Sequence, residues 1–242
     1  MIKLANIRKK KNPLISVIVP TYQEEKYIEQ TLIAISNQTL ERNKYEIIVS
    51  DSNSKDKTIE IAKRYADKIV ISDKRGIAVG RNLGAKYANG KYLVFIDADT
   101  IILPKTLEKI VKELKKYDCI IPKLFPSKPS FVLSLYFGIY NFVISFLNFF
   151  KAPQASGPFI AVKRKVFEKL NGFNEKLETY EDVDFIKRVS KIGKVKIINL
   201  PVITSTRRFE KEGKIRLALK YTLYSLLFNL FGIYIKNYRP AR

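Results

Sequence analysis

Lys91-Tyr-Leu-Val-Phe-Ile-Asp-Ala-Asp99 decides how this 242-residue chain is read. Its unbroken apolar run is the pattern of a strand buried on both faces, and it ends on two carboxylates one residue apart. Upstream, residues 15–19 (closed by Pro20), 45–50 and 68–71 read as strands of the same kind. Helices alternate with them. Residues 24–37 carry Tyr27, Ile28, Leu32 and Ile35 at helical spacing, a second helix runs from the polar loop 51–56 to about Tyr65, and a third spans 77–88 and stops at Asn89-Gly90. Downstream, 104–117 is a helix with Pro104 in its first turn, and 118–122 is a short strand. This alternation predicts an α/β fold around a mainly parallel central sheet flanked by helices. Ligands of such sheets bind beyond the strand C-termini, where Asp51 and Asp97 both fall, so their loops are expected to share one crevice.

The second half reads differently. Residues 131–150 hold no charge and eight aromatic side chains, long enough to span a bilayer. Ser134, Gly138, Asn141, Ser145 and Asn148 recur along them at steps of four and three, which marks one helical stripe beside a broad apolar face. A second apolar stretch, 217–235, is broken by Lys220. Between the two lie a loop and strand at 156–162, a helix opening at Tyr180-Glu-Asp-Val-Asp-Phe185 and running to about Ile192, and a strand at 194–199 followed by Thr204-Ser-Thr-Arg-Arg-Phe209.

Composition narrows the chemistry. The chain has no His and one Cys, Cys119, which excludes an imidazole base, a serine–histidine triad, a disulfide framework and a cysteine zinc site. Carboxylates, Lys, Tyr or a metal on oxygen ligands remain. Lys and Arg number 45 against 23 Asp and Glu, a net charge of +22. The excess gathers at the ends: Lys3, Arg8, Lys9, Lys10 and Lys11 stand among the first eleven residues without an acid, and nine basic residues against two acids fill 207–242. Basic ends beside apolar stretches suit an anionic lipid surface. Residues 15–19 are too short for the apolar core of a signal peptide.

Each polar motif has two readings on local grounds. Asp97 and Asp99 suit Mg²⁺ or Mn²⁺ on a diphosphate, or a turn and a cap; the same spacing recurs at Asp182 and Asp184. Asp51 suits a base or ribose contact, or an Asx turn. Glu181-Asp182 suits a general base, or the acidic start of a helix. Arg207-Arg208 suits phosphate, or one more basic pair.

Their order is more telling. Ile15-Ser-Val-Ile-Val-Pro-Thr-Tyr22, Val49-Ser-Asp-Ser-Asn-Ser-Lys-Asp56, Gly80-Arg-Asn-Leu-Gly84, Phe95-Ile-Asp-Ala-Asp99, then Gly172-Phe173 and Glu181-Asp182 resemble the family 2 glycosyltransferases, closely over 14–99 and collinearly as far as Arg208. The resemblance implies a GT-A nucleotide-sugar transferase fold. It implies that Pro20, Tyr22 and Glu24 line the nucleotide pocket, Asp51 contacts the base, and Arg81 lies near the nucleotide-sugar. It places Asp97 on ribose or sugar and beside the metal, Asp99 on the metal, Asp182 as base, Glu181 beside the acceptor, and Arg207 and Arg208 near phosphate. The chain has no Trp and hence no Gln-x-x-Arg-Trp motif, which argues against a processive polysaccharide synthase.

The implied division is a basic arm (1–12), a catalytic domain (13–212) containing the apolar helix 131–150, and an apolar, basic C-terminal segment (213–242). A single membrane crossing by 131–150 would separate Asp99 from Asp182, which leaves a helix that is re-entrant, interfacial or packed in the core or a dimer interface; the small-polar stripe and the eight aromatics favour the interfacial one. The expected partners are a UDP- or GDP-sugar, a lipid-linked or glycan acceptor and an anionic membrane at its cytoplasmic face, with Mg²⁺ or Mn²⁺ as cofactor. A nucleic-acid binder, suggested by the charge, would interleave basic and aromatic residues over a groove, whereas here the aromatics gather in an uncharged helix. A non-catalytic scaffold is the remaining alternative.

Overall fold

The computed structural model describes residues 2–8, 12–150, 153–154 and 157–231, the side chains of 225, 226 and 228–231 excepted. Strands and helices alternate through the first half: β1 (Ile2–Asn6), β2 (Ile15–Thr21), α1 (Ile28–Ser36), β3 (Tyr45–Asp51), α2 (Thr58–Tyr65), β4 (Lys68–Ser72), α3 (Ile77–Lys86) and β5 (Tyr92–Ile96). There follow β6 (Thr100–Ile102), α4 (Thr106–Leu114), β7 (Cys119–Pro126), α5 (Phe131–Phe149), β8 (Phe159–Lys163), α6 (Arg164–Lys169), α7 (Glu181–Ile192), β9 (Val195–Thr204), α8 (Arg207–Glu212) and α9 (Lys214–Phe231).

The strands form one 9-stranded sheet in the order β1-β4-β3-β2-β5-β8-β7-β9-β6. β2 pairs in parallel with β3 and β5, and β3 with β4. The expectation of a mainly parallel sheet is corrected: β7 and β9 are parallel too, but β1, β6 and β8 run antiparallel to their neighbours, so the sheet is mixed. The cause lies in the connections. A helix that packs back onto the sheet returns the chain for a parallel strand. The chain between β7 and β8 instead leaves and re-enters at the same end of the sheet.

The central strands are buried on both faces, and side-chain alternation sorts them into two cores. Val17, Val19, Ile47, Val49 and Val94 meet Ile28, Leu32 and Ile35 of α1 and Leu107, Ile110 and Leu114 of α4. Ile18, Ile48, Val70 and Phe95 meet Ala78 and Ala85 of α3 and Phe185, Ile186 and Val189 of α7. Each such Ile, Leu or Phe contributes roughly 1.5–3 kcal/mol by burial.

Two local expectations change. Pro20 does not close β2, which continues to Thr21; pairing with β5 stops at Ile18 while pairing with β3 goes on, so Pro20 lacks its N–H where the strand has a single partner. Residues 2–6 of the basic arm form edge strand β1, and Arg8 donates to the carbonyls of Arg64, Tyr65 and Ala66 at the end of α2, at 2.9, 3.1 and 3.3 Å. Lys9, Lys10 and Lys11, and residues 232–242 of the C-terminal segment, lie outside the described residues.

The face of α5 turned to the protein consists of Leu133, Phe137, Asn141 and Ile144. Of the small-polar stripe only Asn141 is buried; its amide donates to the Leu124 carbonyl at 2.7 Å and accepts the Leu124 N–H at 3.0 Å, pairing with β7 as a strand would. Ser134 and Gly138 face outward with Phe131, Leu135, Ile139, Phe142, Phe146 and Phe149.

Candidate active site

The candidate residues gather where β2, β3 and β5 end, the place expected for the crevice. Helix α3 rides close over β2 because a Cβ on Gly84 would sit 2.4 Å from Cγ2 of Ile18. That approach sinks Arg81 to 1% exposure. Its Nη1 donates to Glu181 Oε1 at 2.7 Å, and its Nη2 to Asp97 Oδ1 at 3.0 Å and to the Gly157 carbonyl at 2.7 Å. The Phe173 ring lies 5.2 Å from the guanidinium. Arg81, expected near the nucleotide-sugar, is thus the buried bridge between the end of β5 and the start of α7.

Asp182 follows Glu181 in the first turn of α7. Its Oδ1 accepts the Val183 N–H at 2.8 Å, and its Oδ2 lies 2.9 Å from where a Cβ on Gly157 would stand. Burial raises the Asp182 carboxyl above the usual range, against the pull of Arg81; burial and the neighbouring Asp182 raise Glu181 likewise. Burial, opposed by Asp97, Glu181 and Asp182 in that order of strength, leaves the Arg81 guanidinium more basic still.

A second arginine works at the rim. Arg207, opening α8, grips Glu24 with both terminal nitrogens at 2.6 and 2.8 Å, and its Nε lies 3.2 Å from Asp99 Oδ2. Its guanidinium stacks 4.5 Å from the Tyr27 ring. Burial pushes Asp99 up to about 6 although Arg207 pulls it down, with Asp97 and Glu24 adding to the rise.

The loops after β2 and β3 are bonded to each other, Gln23 N–H donating to Ser54 Oγ at 2.8 Å, and the other expected residues are engaged as follows. Asp51 closes a turn: Oδ2 accepts from the hydroxyls of Thr21 and Ser54, each at 2.7 Å, and Oδ1 accepts the Ser54 N–H at 2.7 Å. Pro20 lies under α3, where a Cβ on Gly80 would meet it at 3.0 Å. Tyr22 lies beneath the exposed Arg75 guanidinium, 4.5 Å away. Arg208 turns from the crevice to Glu212 at 2.7 Å and the Tyr221 ring at 5.7 Å. Arg75, Tyr27, Gly157 and Phe173 had no assigned role in the sequence. Only Gly157, in a loop before a strand, and Phe173, in a family-like pair, carried a signal.

Among the described residues no three acidic or cysteine side chains converge on one point. Asp97 and Asp99 nevertheless fit a hard divalent cation that takes one or two carboxylates and completes its shell with water and substrate phosphates. Arg207 alone does not offset the burial of Asp99.

The chain matches the glycosyl transferase family 2 model over residues 16–171. It is 34% identical to the uncharacterized glycosyltransferase MJ1057 of Methanocaldococcus jannaschii over 72% of this chain and 63% of that protein. It is 35% identical to the glycosyltransferase AglE of Haloferax volcanii over 42% of this chain and 36% of that protein. It therefore spans less than two thirds of these relatives. The mannosyltransferase PcManGT of Pyrobaculum calidifontis, solved with GDP-Man and Mn²⁺, superposes with a TM-score of 0.72 at 23% identity over 95% of this chain and 66% of that one. S. aureus TarS with UDP-GlcNAc gives 0.62 at 21% over 79% and 58%. With the ordered motifs, the mixed sheet and the crevice at its strand ends, these matches establish that the chain belongs to glycosyl transferase family 2 and has the GT-A fold.

Proposed function

We propose that the protein is an inverting hexosyltransferase that moves a sugar from a UDP- or GDP-sugar to a lipid-linked acceptor, a polyprenyl phosphate or lipid-linked glycan, at the cytoplasmic face of a membrane. The observation that carries this reading is the buried bridge Asp97–Arg81–Glu181, which ties the donor-side acid to the residue that precedes the candidate base, Asp182. The nucleotide-sugars bound by PcManGT and TarS support the donor class.

In the reaction, an acceptor oxygen attacks the anomeric carbon, the new C–O bond forms as the bond to the diphosphate breaks, and the nucleoside diphosphate leaves. Oδ2 of Asp182 takes the proton of an acceptor hydroxyl, since Oδ1 is already held by Val183. A phosphate acceptor brings no such proton, and Asp182 then positions it. A single displacement inverts the anomeric carbon. Bound Mg²⁺ or Mn²⁺ on Asp99, with Asp97 beside it, supplies charge neutralisation for the leaving diphosphate.

The membrane part rests on α5 and α9. Phe131, Leu135, Ile139, Phe142 and Phe146 of α5 and Ile215, Leu219 and Leu223 of α9 are exposed, and Lys128, Lys214 and Arg216 stand exposed near them. The bridge to Glu181 argues against a single membrane crossing by α5 between Asp97 and Glu181, which supports the reading of α5 as a peripheral or monotopic element in the interface. The partner of the basic surface is then anionic lipid and not nucleic acid.

The test is nucleoside diphosphate release by detergent-purified protein with Mg²⁺ or Mn²⁺ over a panel of UDP-, GDP- and TDP-sugars, with and without polyprenyl phosphate. Lipid-dependent release, lost in Asp182→Asn with donor binding retained, is the expected result. Release with a soluble glycan in place of lipid overturns the acceptor. No release and no nucleotide-sugar binding overturns the enzyme reading.

A further inference from the structure

Arg207 is held in a way that the transfer reaction does not require. Both terminal nitrogens are spent on Glu24, at 2.6 and 2.8 Å, and this fork aims the remaining Nε edge at Asp99, 3.2 Å away. Tyr27 backs the guanidinium at 4.5 Å. Asp99, the candidate cation ligand, therefore already has a positive partner before any cation or donor arrives. The three side chains are only 14–21% exposed, so water screens the cluster poorly.

We infer that Arg207 is a stand-in cation on Asp99, which makes the cation and the nucleoside diphosphate bind together and not separately. The inference rests on the transferase reading above and concerns how its donor site fills. The charges explain the coupling. Without ligand, Glu24 and Asp99 share one guanidinium, so the cluster is negative and Asp99 is already paired. A divalent cation added alone on Asp99 meets Arg207 at close range and leaves an excess of positive charge. A diphosphate arriving with the cation removes that excess: Asp99 exchanges Arg207 for the cation, and the Nε edge of Arg207 is released toward the phosphate oxygens. The Glu24 fork keeps the guanidinium at the rim throughout. Helix α8 also keeps its seat, because Phe209 is buried against Tyr136 and Phe137 of α5 and Tyr221 of α9, with ring centroids 5.4–6.0 Å apart. The exchange is therefore a side-chain movement.

The experiment is equilibrium dialysis of Mn²⁺ against the whole protein, alone and with saturating UDP or GDP. Wild type is expected to take up Mn²⁺ weakly alone and at least tenfold more tightly with the diphosphate, and by reciprocity to bind the diphosphate more tightly with Mn²⁺. Arg207→Gln is expected to shrink the coupling from both ends: Mn²⁺ alone binds about tenfold more tightly than in wild type, and Mn²⁺ with diphosphate binds more weakly than in wild type. Arg207→Lys, which keeps the charge and loses the fork, is expected to fall between. Wild type that binds Mn²⁺ equally well with and without diphosphate overturns the proposal without any variant. So does Arg207→Gln with unchanged or weaker Mn²⁺ uptake; if it still binds UDP or GDP, the transferase reading survives. Wild type that binds neither UDP nor GDP under any condition overturns both.

Discussion

Two arginines each join two acids of this crevice, and they do so in opposite ways. Arg81 is buried beneath it, bonded to Asp97, Glu181 and the Gly157 carbonyl. Arg207 stands at the rim, joining Glu24 to Asp99 from a helix of six residues. A buried charge satisfied on several sides cannot leave without stranding its partners, whereas a rim charge can exchange one partner for another. The inner cluster is therefore the fixed one, and on the proposed reading the outer one exchanges partners as the donor site fills.

The largest effect should follow from breaking the inner cluster. Arg81→Met leaves Asp97, Glu181 and Asp182 without their shared cation. Removing one partner of a buried pair typically costs about 3–5 kcal/mol. In a domain of this size each kcal/mol shifts the melting temperature by about 2–4 °C, so a scanning-calorimetry fall of ten degrees or so is expected, with activity abolished. A melting temperature within a degree of wild type would mean that Arg81 does not hold the crevice together.

Gly157→Ala probes the same cluster with less damage. The added Cβ would stand 2.9 Å from Oδ2 of Asp182, so the carboxylate must shift by a few tenths of an ångström. A small misplacement of a reacting group costs about ten- to a hundredfold in rate. The expected result is a kcat lower by at least tenfold with KM for the donor unchanged. Equal losses in both would place Gly157 on the donor.

How much of this was legible in the sequence depended on range. The buried strands 15–19, 45–50 and 91–96 announced themselves by apolar runs, and the acids at their ends by position. Strand β1 did not, because its five residues are all exposed and its register comes from β4. The direction of β8 depends on where the chain leaves β7, which no local pattern records. Helix α8 is mostly charged and is fixed by one buried residue, Phe209. The depth of Arg81 was equally hidden. Its motif placed it near the nucleotide-sugar, but what buries it is the approach of Gly84 to Ile18 and a partner a hundred residues away.

The pH dependence sharpens the comparison next. Burial raises both Asp182 and Glu181, so the basic form of Asp182 is lost at a higher pH than an ordinary carboxylate would require. The acid limb of kcat against pH should lie above the usual range near 4. The stability sign is opposite. A carboxyl whose folded pKa is raised binds its proton more tightly folded than unfolded, so these groups stabilise the fold as pH falls through that window. Activity should therefore decline while the melting temperature holds or rises. A parallel fall of both would point to unfolding.

The smallest effect is expected at the rim, and it decides whether the two clusters differ in kind. Arg207→Ala removes a bidentate pair and a cation–π contact, but all three partners keep some solvent contact. Partly exposed pairs contribute about 0–1 kcal/mol, and good fork geometry places this one at the upper end. Two opposing terms keep the net small: Glu24 and Asp99 lose their cation, while Asp99, already pushed up to about 6 by burial, can take a proton instead and relieve the repulsion. That second route is closed to the acids around Arg81 only in part, since they too can protonate, but there two carboxylates and a backbone carbonyl lose their donor at once and Asp182 loses a nearby positive charge. A melting shift of about two to four degrees is thus expected for Arg207→Ala near neutral pH, shrinking toward pH 6 as Asp99 protonates. A shift as large as that of Arg81→Met would make Arg207 a fixed strut, and the exchange of its partners on ligand binding would then be too costly to occur.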